Sequence, residues 1–392
     1  MIVRQTWSVV QMAIASIPQR LGSSAVVVVG IAAVVAVLVA ILAMAAGFER
    51  TLKQTGTDDT AIVLAAGARS ETGSTLDRDT VAVASDAPQV LRNAQNQPIG
   101  SAEQLVSALL PKKSTKLDAG VAIRGVGEHV WELWPHVRIV AGRRFHAALR
   151  ELVVGSGVHE KFLGADVGST LTLDGQPWTV VGIFDSGDAH NSEVWTDGQV
   201  IASAYHRGAS TTSLTVKLTD ARAFEAFKAV LQSDPRLKVA VQTTRQFYNA
   251  QSQTFARMIR LVGATIGAIM ALGAIFGALN ATYTAIAGRT REIATLRAIG
   301  FQQVTVIISV LAETLLLATL GGALGAALTW ALFDGFTAST VGASGQIVFA
   351  FRVTPGLLWN GIEWALAIGL IGGIIPALRA ARMSVTAGLR AV

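Results

Sequence analysis

LGSSAVVVVGIAAVVAVLVAILAMAAGF, residues 21–48, decides the fold, because no side chain between Arg20 and Glu49 carries a charge. An α-helix rises about 1.5 Å per residue, so roughly 20 apolar residues cross a hydrocarbon core of about 30 Å. This stretch is longer than that. It is also longer than the roughly 7–15 apolar residues of a cleaved leader, so it reads as an uncleaved anchor despite the A-x-A pattern at Ala43 and Ala45. Three further runs match it. Nothing is charged between Arg260 and Arg289, only Glu313 interrupts 298–333, and only Glu363 interrupts 353–377. Hydrophobic residues make up 51% of the 392 positions and charged ones 15%, where a soluble chain carries about a quarter.

The fold expected is therefore membrane α-helical, with four transmembrane helices and a large α+β extracytoplasmic domain between helices 1 and 2. The boundaries read as a cytoplasmic amphipathic helix at 1–20, with Trp7, Val10, Ile14 and Ile17 at helical spacing, and a first span at 21–48. An outer domain at 49–256 and a stem with the second span at 257–287 follow. A short cytoplasmic helix at 288–301, a third span at 302–333 and a short outer loop at 334–355 come next. A fourth span at 356–376 leads to a tail at 377–392.

Basic residues orient the chain. The segment before the first span (Arg4, Arg20), the loop between spans 2 and 3 (Arg289, Arg291 and Arg297 against Glu292) and the final tail (Arg379, Arg382, Arg390) carry +2, +2 and +3, whereas the whole chain carries +6. The positive charge thus lies beside the spans and marks the cytoplasmic side; it is not a footprint for nucleic acid. Both termini are expected in the cytoplasm and the large domain in the periplasm, in a bacterial cytoplasmic (inner) membrane. The chain has no cysteine, which agrees with an outer domain that needs no disulfide.

In the outer domain, strand-like runs occur at 61–65, 121–123, 152–154, 170–173, 178–183, 213–218 and 238–241, with helices at 219–231 and, more weakly, 75–84. Asp174-Gly175 is a type I′ turn signal and predicts a hairpin over 170–183. Two β-α-β units flanking a β-rich lobe at about 120–210 account for this order. No Gly-Lys dipeptide exists, so no phosphate-cradling P-loop does either. The six histidines, His129, His136, His146, His159, His190 and His206, have no metal-ligand spacing. Gly155-Ser156-Gly157 lacks the nucleophile-elbow frame and reads as glycines of a hairpin approach. No catalytic constellation is visible.

Residues 288–303, GRTREIATLRAIGFQQ, predict a short amphipathic helix with Ile293, Leu296 and Ile299 on one side and Gly300 as its C-cap. Such a helix between two spans fits a rigid knob pushed by a partner, and equally a surface helix resting on lipid headgroups. Acids inside spans are costly. Glu313 therefore reads as structural or coupling, while Glu363 beside Trp359 and Trp364 reaches the headgroup region. Gly263/Gly267 and Gly273/Gly277 form small-residue pairs suited to close helix packing.

Arg289, Thr290, Arg291, Glu292, Ile293, Arg297, Ala298, Ile299 and Gly300, followed by Glu313, Leu315–Leu317, Gly321, Gly322 and Gly325, closely resemble the coupling loop and third span of the MacB/FtsX family of ABC transporter permeases. The end of the fourth span, GGIIPALRAARMSVTAGLR (372–390), and the outer segment VVGSGVHEKFLGADVGSTLTLDGQPWTVVGIFD (153–185) are similar to family segments as well. Gly288 stands where many members have Glu and Ala294 where many have Gly, and the variant REIATLRAIGF (291–301) looks more like DevC-type permeases than MacB.

The resemblance implies a permease subunit that makes and breaks no bonds. Its contacts to the ATPase would come from Arg289, Arg291, Glu292, Ile293, Leu296, Arg297, Ile299 and Gly300. The chain itself would hold no cofactor, with ATP and Mg on a partner ABC ATPase subunit. Further partners implied are a second permease copy in a homodimer, a periplasmic adaptor protein, an outer-membrane channel and the lipid bilayer. The motion passed outward would be mechanotransmission driving efflux or export. Lipoprotein or lipid extraction, as in LolC/LolE-like chains, and FtsX-like activation of a wall hydrolase are the alternative uses of the same architecture.

Overall fold

The computed structural model describes residues 11, 21–341 and 345–385. The expected helix at 1–20 and the tail beyond 385, with Arg390, lie outside the described residues apart from Gln11. The chain divides into two compact units: 1–46, 256–336 and 351–392 form one, and 47–255 with 337–350 form the other.

Among the described residues, four helices are long and apolar enough to cross a membrane. They are α1 (Leu21–Thr55), α2 (Thr244–Ala287) and, past the short α3 (Thr290–Ala298), α4 (Gln303–Phe333) and α5 (Pro355–Arg382). Two outrun their apolar stretches. α1 continues through a Glu49–Lys53 ion pair of 2.6 Å, and α2 begins at Thr244 and runs 44 residues with no proline. α5 starts at a proline behind Thr354, whose hydroxyl accepts the Leu357 amide at 3.4 Å.

α1 is central in the membrane unit. Its Ile31, Val34, Val35, Val39 and Ala43 are buried with Ala271 and Ala278 of α2, Leu317, Ala318 and Ala326 of α4, and Ala365 and Ile368 of α5. Burial of apolar surface gives helices little reason to associate within lipid, so close backbone approach has to do it. A Cβ added to Gly321 would lie 2.8 Å from the Val28 carbonyl oxygen, and one on Gly361 2.8 Å from Val39 Cγ2. Thr329 Oγ1 also donates to the Ala36 carbonyl at 3.1 Å. Gly321→Leu should therefore force α4 off α1 at a cost of about 1–3 kcal/mol or more. A thermal melt of the detergent-purified chain should fall for this variant and stay unchanged for Gly273→Ala.

The two α2 glycine pairs differ in their surroundings within the chain. Cβ atoms on Gly263 and Gly267 would meet Ile41 at 2.6 Å and Leu38 at 3.1 Å, whereas a Cβ on Gly273 or Gly277 would meet none of the described residues within 4 Å. Ten residues turn a helix through about 1000°, which leaves the second pair roughly 80° off the face of the first.

The outer unit is built on one twisted sheet. Its strands are β1 (Thr60–Ala65), β2 (Gly100–Pro111), β3 (Asp118–Val126), β4 (Arg138–Gly142), β5 (Glu151–Gly155), β6 (Thr170–Leu173), β7 (Gln176–Asp185), β8 (Glu193–Asp197), β9 (Ser213–Lys217) and β10 (Val239–Thr243). Their order is β10-β1-β9-β2-β3-β8-β5-β7-β4, with β6 on β7. The β3–β8 and β5–β7 pairs are parallel. Helix Ala223–Ser233 lays Phe224, Phe227 and Leu231 in one core with Ala61, Val63, Leu214, Val216 and Val241. A second core gathers Ile123, Leu152, Val154, Phe162 and Trp178. At the β6–β7 turn Asp174 and Gly175 take φ of 47° and 73°, the left-handed values a type I′ turn needs.

The sheet differs from the sequence reading in several places. β2 has no counterpart in it; this strand pairs with β9 at its start and with β3 further along, so the lobe placed at 120–210 shares one continuous sheet with the flanking parts. The helix expected from 219 starts at Ala223, because the Asp220 carboxylate first accepts the Arg222 and Ala223 amides at 2.7 and 3.0 Å in a turn. Gly155–Gly157 is a strand-to-helix turn: β5 ends at Gly155 and helix Ser156–Lys161 begins. The loop read at 334–355 holds a hairpin, β11 (Thr337–Val341) with β12 (Gln346–Ala350). This hairpin belongs to the outer unit, where the Val348 amide donates to Ser192 Oγ at 2.7 Å and Lys161 Nζ to Thr337 Oγ1 at 3.0 Å.

Candidate functional site

α2 ends where the Gly288 amide bonds to the Thr284 carbonyl, and α3 follows at Thr290. Glu292 in its first turn and Arg297 in its last complement the helix dipole. At its end Gly300 takes φ of 102°, and the Phe301 amide reaches back to the Leu296 carbonyl at 3.1 Å. This left-handed closure satisfies late carbonyls and turns the chain into α4.

The residues grouped as ATPase contacts separate into two sets. Ile293 is buried with Val306 of α4 and Ala380 of α5. Arg289 Nη1 lies 3.2 Å from Glu313 Oε2 of α4, with both side chains largely covered. Arg297 Nη1 donates to the Met383 carbonyl just past α5. These three residues hold α3 to its own bundle, Ile293 buried and Arg289 and Arg297 half-buried. Arg291, Glu292 (side chain 75% exposed), Ile299 (69%) and Gly300 face outward, and Leu296 is half-buried. Ile293 and Ile299 do not share a side as expected: six residues turn a helix by about 600°, which leaves them roughly 120° apart. Glu313 has its basic partner inside the bundle, so the cost of an acid in a span is offset by an ion pair. Glu363 lies on the exposed face of α5, flanked by exposed Trp359 and Trp364.

The outer unit holds a polar centre that the sequence did not reveal. Arg124 on β3 contacts Glu71 at 2.7 Å, Glu103 on β2 at 2.6 Å and Glu193 on β8 at 2.6 Å, all buried or nearly so. Ser213 Oγ donates to Glu71 at 2.8 Å and Trp195 Nε1 to Glu193 at 2.9 Å. One cation cannot neutralise three buried carboxylates. Burial is the largest influence on Glu103; with the Glu71 charge it outweighs Arg124 and pushes the Glu103 carboxyl above the usual range. Burial also opposes the Glu193 carboxylate, but the Arg124 guanidinium overrides it and holds that group below the usual range. No two of these four residues are neighbours in sequence. The only signal was a charged residue at an otherwise apolar strand position, as with Arg124 after Val121–Ile123.

The histidines are likewise rearranged by the fold. His136 and His190, which share no metal-ligand spacing in sequence, stand together around Asp188.

Four bilayer-length helices, a large α/β domain between the first two and a short helix pinned between the second and third define a polytopic membrane protein of the permease class. Residues 24–234 match the MacB-like periplasmic core domain and residues 264–385 the FtsX-like permease C-terminal domain, and the chain belongs to this MacB/FtsX permease family. Among curated relatives, a macrolide export ATP-binding/permease protein MacB of Burkholderia pseudomallei (strain 1710b) is 23% identical over 306 residues, covering 73% of this chain and 45% of that protein. Its counterpart in Burkholderia cenocepacia (strain HI2424) is 25% identical over 315 residues, covering 74% and 44%. The match thus spans less than half the length of these relatives. The periplasmic region of MacB from Actinobacillus actinomycetemcomitans, a solved structure, aligns with 49% of this chain and 92% of its own at 13% identity and a TM-score of 0.38.

Proposed function

We propose that the chain is the permease of an ABC-type exporter acting by mechanotransmission. The observation that carries this reading is the mounting of α3. Ile293, Arg289–Glu313 and Arg297 fix it to α4 and to the end of α5, while Glu292, Arg291 and Ile299 remain open. A push on such a helix reaches the spans directly, whereas a helix merely resting on lipid would need no ion pair into the bundle. A partner ABC ATPase, carrying ATP and Mg, seats α3 in a groove and contacts its open residues. ATP-driven closure of two ATPases on a dimer of permeases then moves α1 and α2, which continue past the apolar core toward the outer domain. The permease contributes differential contact with two ATPase states. In this reading the termini and α3 are cytoplasmic, the large domain is periplasmic, and an adaptor and outer-membrane channel complete the export route.

A photoreactive residue in place of Ile299, expressed in native membranes, should trap an ABC ATPase identified by mass spectrometry. The same residue in place of exposed Arg207 of the outer unit should not. A crosslink at position 299 that contains no ATPase overturns the assignment. A reporter inserted after Gln97 and one fused after Val392 should also report opposite sides of the membrane.

A further inference from the structure

We propose that His136, Asp188 and His190 form a binding site for a divalent transition-metal ion of the zinc type in the outer unit. His136 Nε2 lies 3.1 Å from Asp188 Oδ2, and His190 Nδ1 lies 3.0 and 3.2 Å from the two Asp188 oxygens. The three donor atoms all lie within 4.8 Å of one another. Tetrahedral zinc with bonds of about 2.0–2.1 Å places its ligand atoms roughly 3.3–3.4 Å apart, so small side-chain shifts close the set around an ion. Two imidazoles and one carboxylate suit zinc and its neighbours; calcium and magnesium prefer all-oxygen shells.

The site is built rather than incidental. The Asp188 and His190 side chains are only 3% and 2% exposed. Asp188 Oδ1 accepts from Ser186 Oγ at 2.6 Å and from the His190 amide at 3.0 Å, which fixes the carboxylate as the outer hydrogen bonds of metal sites fix their ligands. The Trp134 ring lies beside both imidazoles, with centroids 5.9 Å from His136 and 5.1 Å from His190. Asp188 and His190 already satisfy one another. His136 arrives from the segment leading into β4 and closes the set from the surface; at 42% exposure it leaves an entry path and an open position for water.

The site joins the segment before β4 to the turn Ala189–Ser192. That turn also bonds to the end of α1, through the Ala189 amide and Thr55 Oγ1 at 3.0 Å, and to β12 through Ser192. A bound ion would lock the turn on which both rest.

The test uses the full chain, purified in detergent with its affinity tag removed, stripped with a chelator and then given zinc chloride. After desalting, elemental analysis should find one zinc per chain, and the thermal midpoint should rise with zinc. His136→Ala, at an exposed position, should keep the metal-free midpoint, bind zinc at least tenfold more weakly and lose the zinc-dependent rise. His146→Ala should behave as the unaltered chain. Absence of retained zinc in the unaltered chain, or equal retention by His136→Ala, overturns the proposal and leaves a hydrogen-bonded triad.

Discussion

Arg124→Met is expected to lower the stability of the outer unit by about 3–5 kcal/mol, because it leaves three buried carboxylates facing one another with no cation among them. For a domain of this size each kcal/mol moves the midpoint by about 2–4 °C, so a fall on the order of 10 °C should follow. Trp195, bonded to Glu193 within the network, supplies an intrinsic fluorescence signal for the melt. Glu103→Gln should behave oppositely. Glu103 is pushed above its usual value of 4.5, so the folded state keeps a proton the unfolded chain releases. Its contribution is full below about 4.5 and fades as pH rises through the folded value. Glu193, held low, contributes above its usual 4.5 and loses that contribution as pH falls through its folded value. At neutral pH the amide should therefore raise the midpoint and flatten its decline with pH. Equal midpoints for Arg124→Met and the unaltered chain would remove the network from the account of stability.

Charge inversion on the open side of α3 should nearly abolish transport. Glu292→Lys reverses a largely exposed charge, and Ile299→Asp places a carboxylate where the proposed groove expects an apolar side chain. Like charges facing each other at an interface cost several kcal/mol, and 2.8 kcal/mol is about a hundredfold in affinity. Each variant should reach the membrane at normal levels, lose ATPase co-purification at least tenfold and fail an export assay. Ile293→Asp differs in kind: it buries a charge between α3, α4 and α5, and should reduce the amount of folded protein instead. If Glu292→Lys and Ile299→Asp both bind the ATPase and export normally, α3 is not the coupling element.

The spans were readable because few structures besides a membrane helix accommodate an uncharged run of bilayer length. The α3 loop was readable because its residues are contiguous, but its inward and outward faces were not. Which side of a nine-residue helix is buried depends on where α4 and α5 lie, and Ile293 and Ile299 look alike in sequence. The Arg124 network and the His136–Asp188–His190 cluster were invisible for a related reason: the first joins residues far apart in sequence, and in the second His136 meets Asp188 and His190 only when the segment before β4 folds against their turn. The β11–β12 hairpin was missed because its alternating strands, TASTV and QIVFA, sit in a stretch short enough to read as a loop.

That hairpin has a practical consequence for taking the protein apart. A soluble fragment cut within the two long stems, carrying only 47–255, would omit the strand pair that seats Val348 on Ser192 and against Gly157, where an added Cβ would lie 3.1 Å from Val348 Cβ. The fragment would uncover Gly157 and leave the Ser192 hydroxyl and the Lys161 ammonium without their hairpin partners, opening to self-association a surface that the intact protein covers. A faithful excision has to carry 337–350 along, grafted through a linker. Oligomer sizes measured on the simpler fragment would report the missing piece.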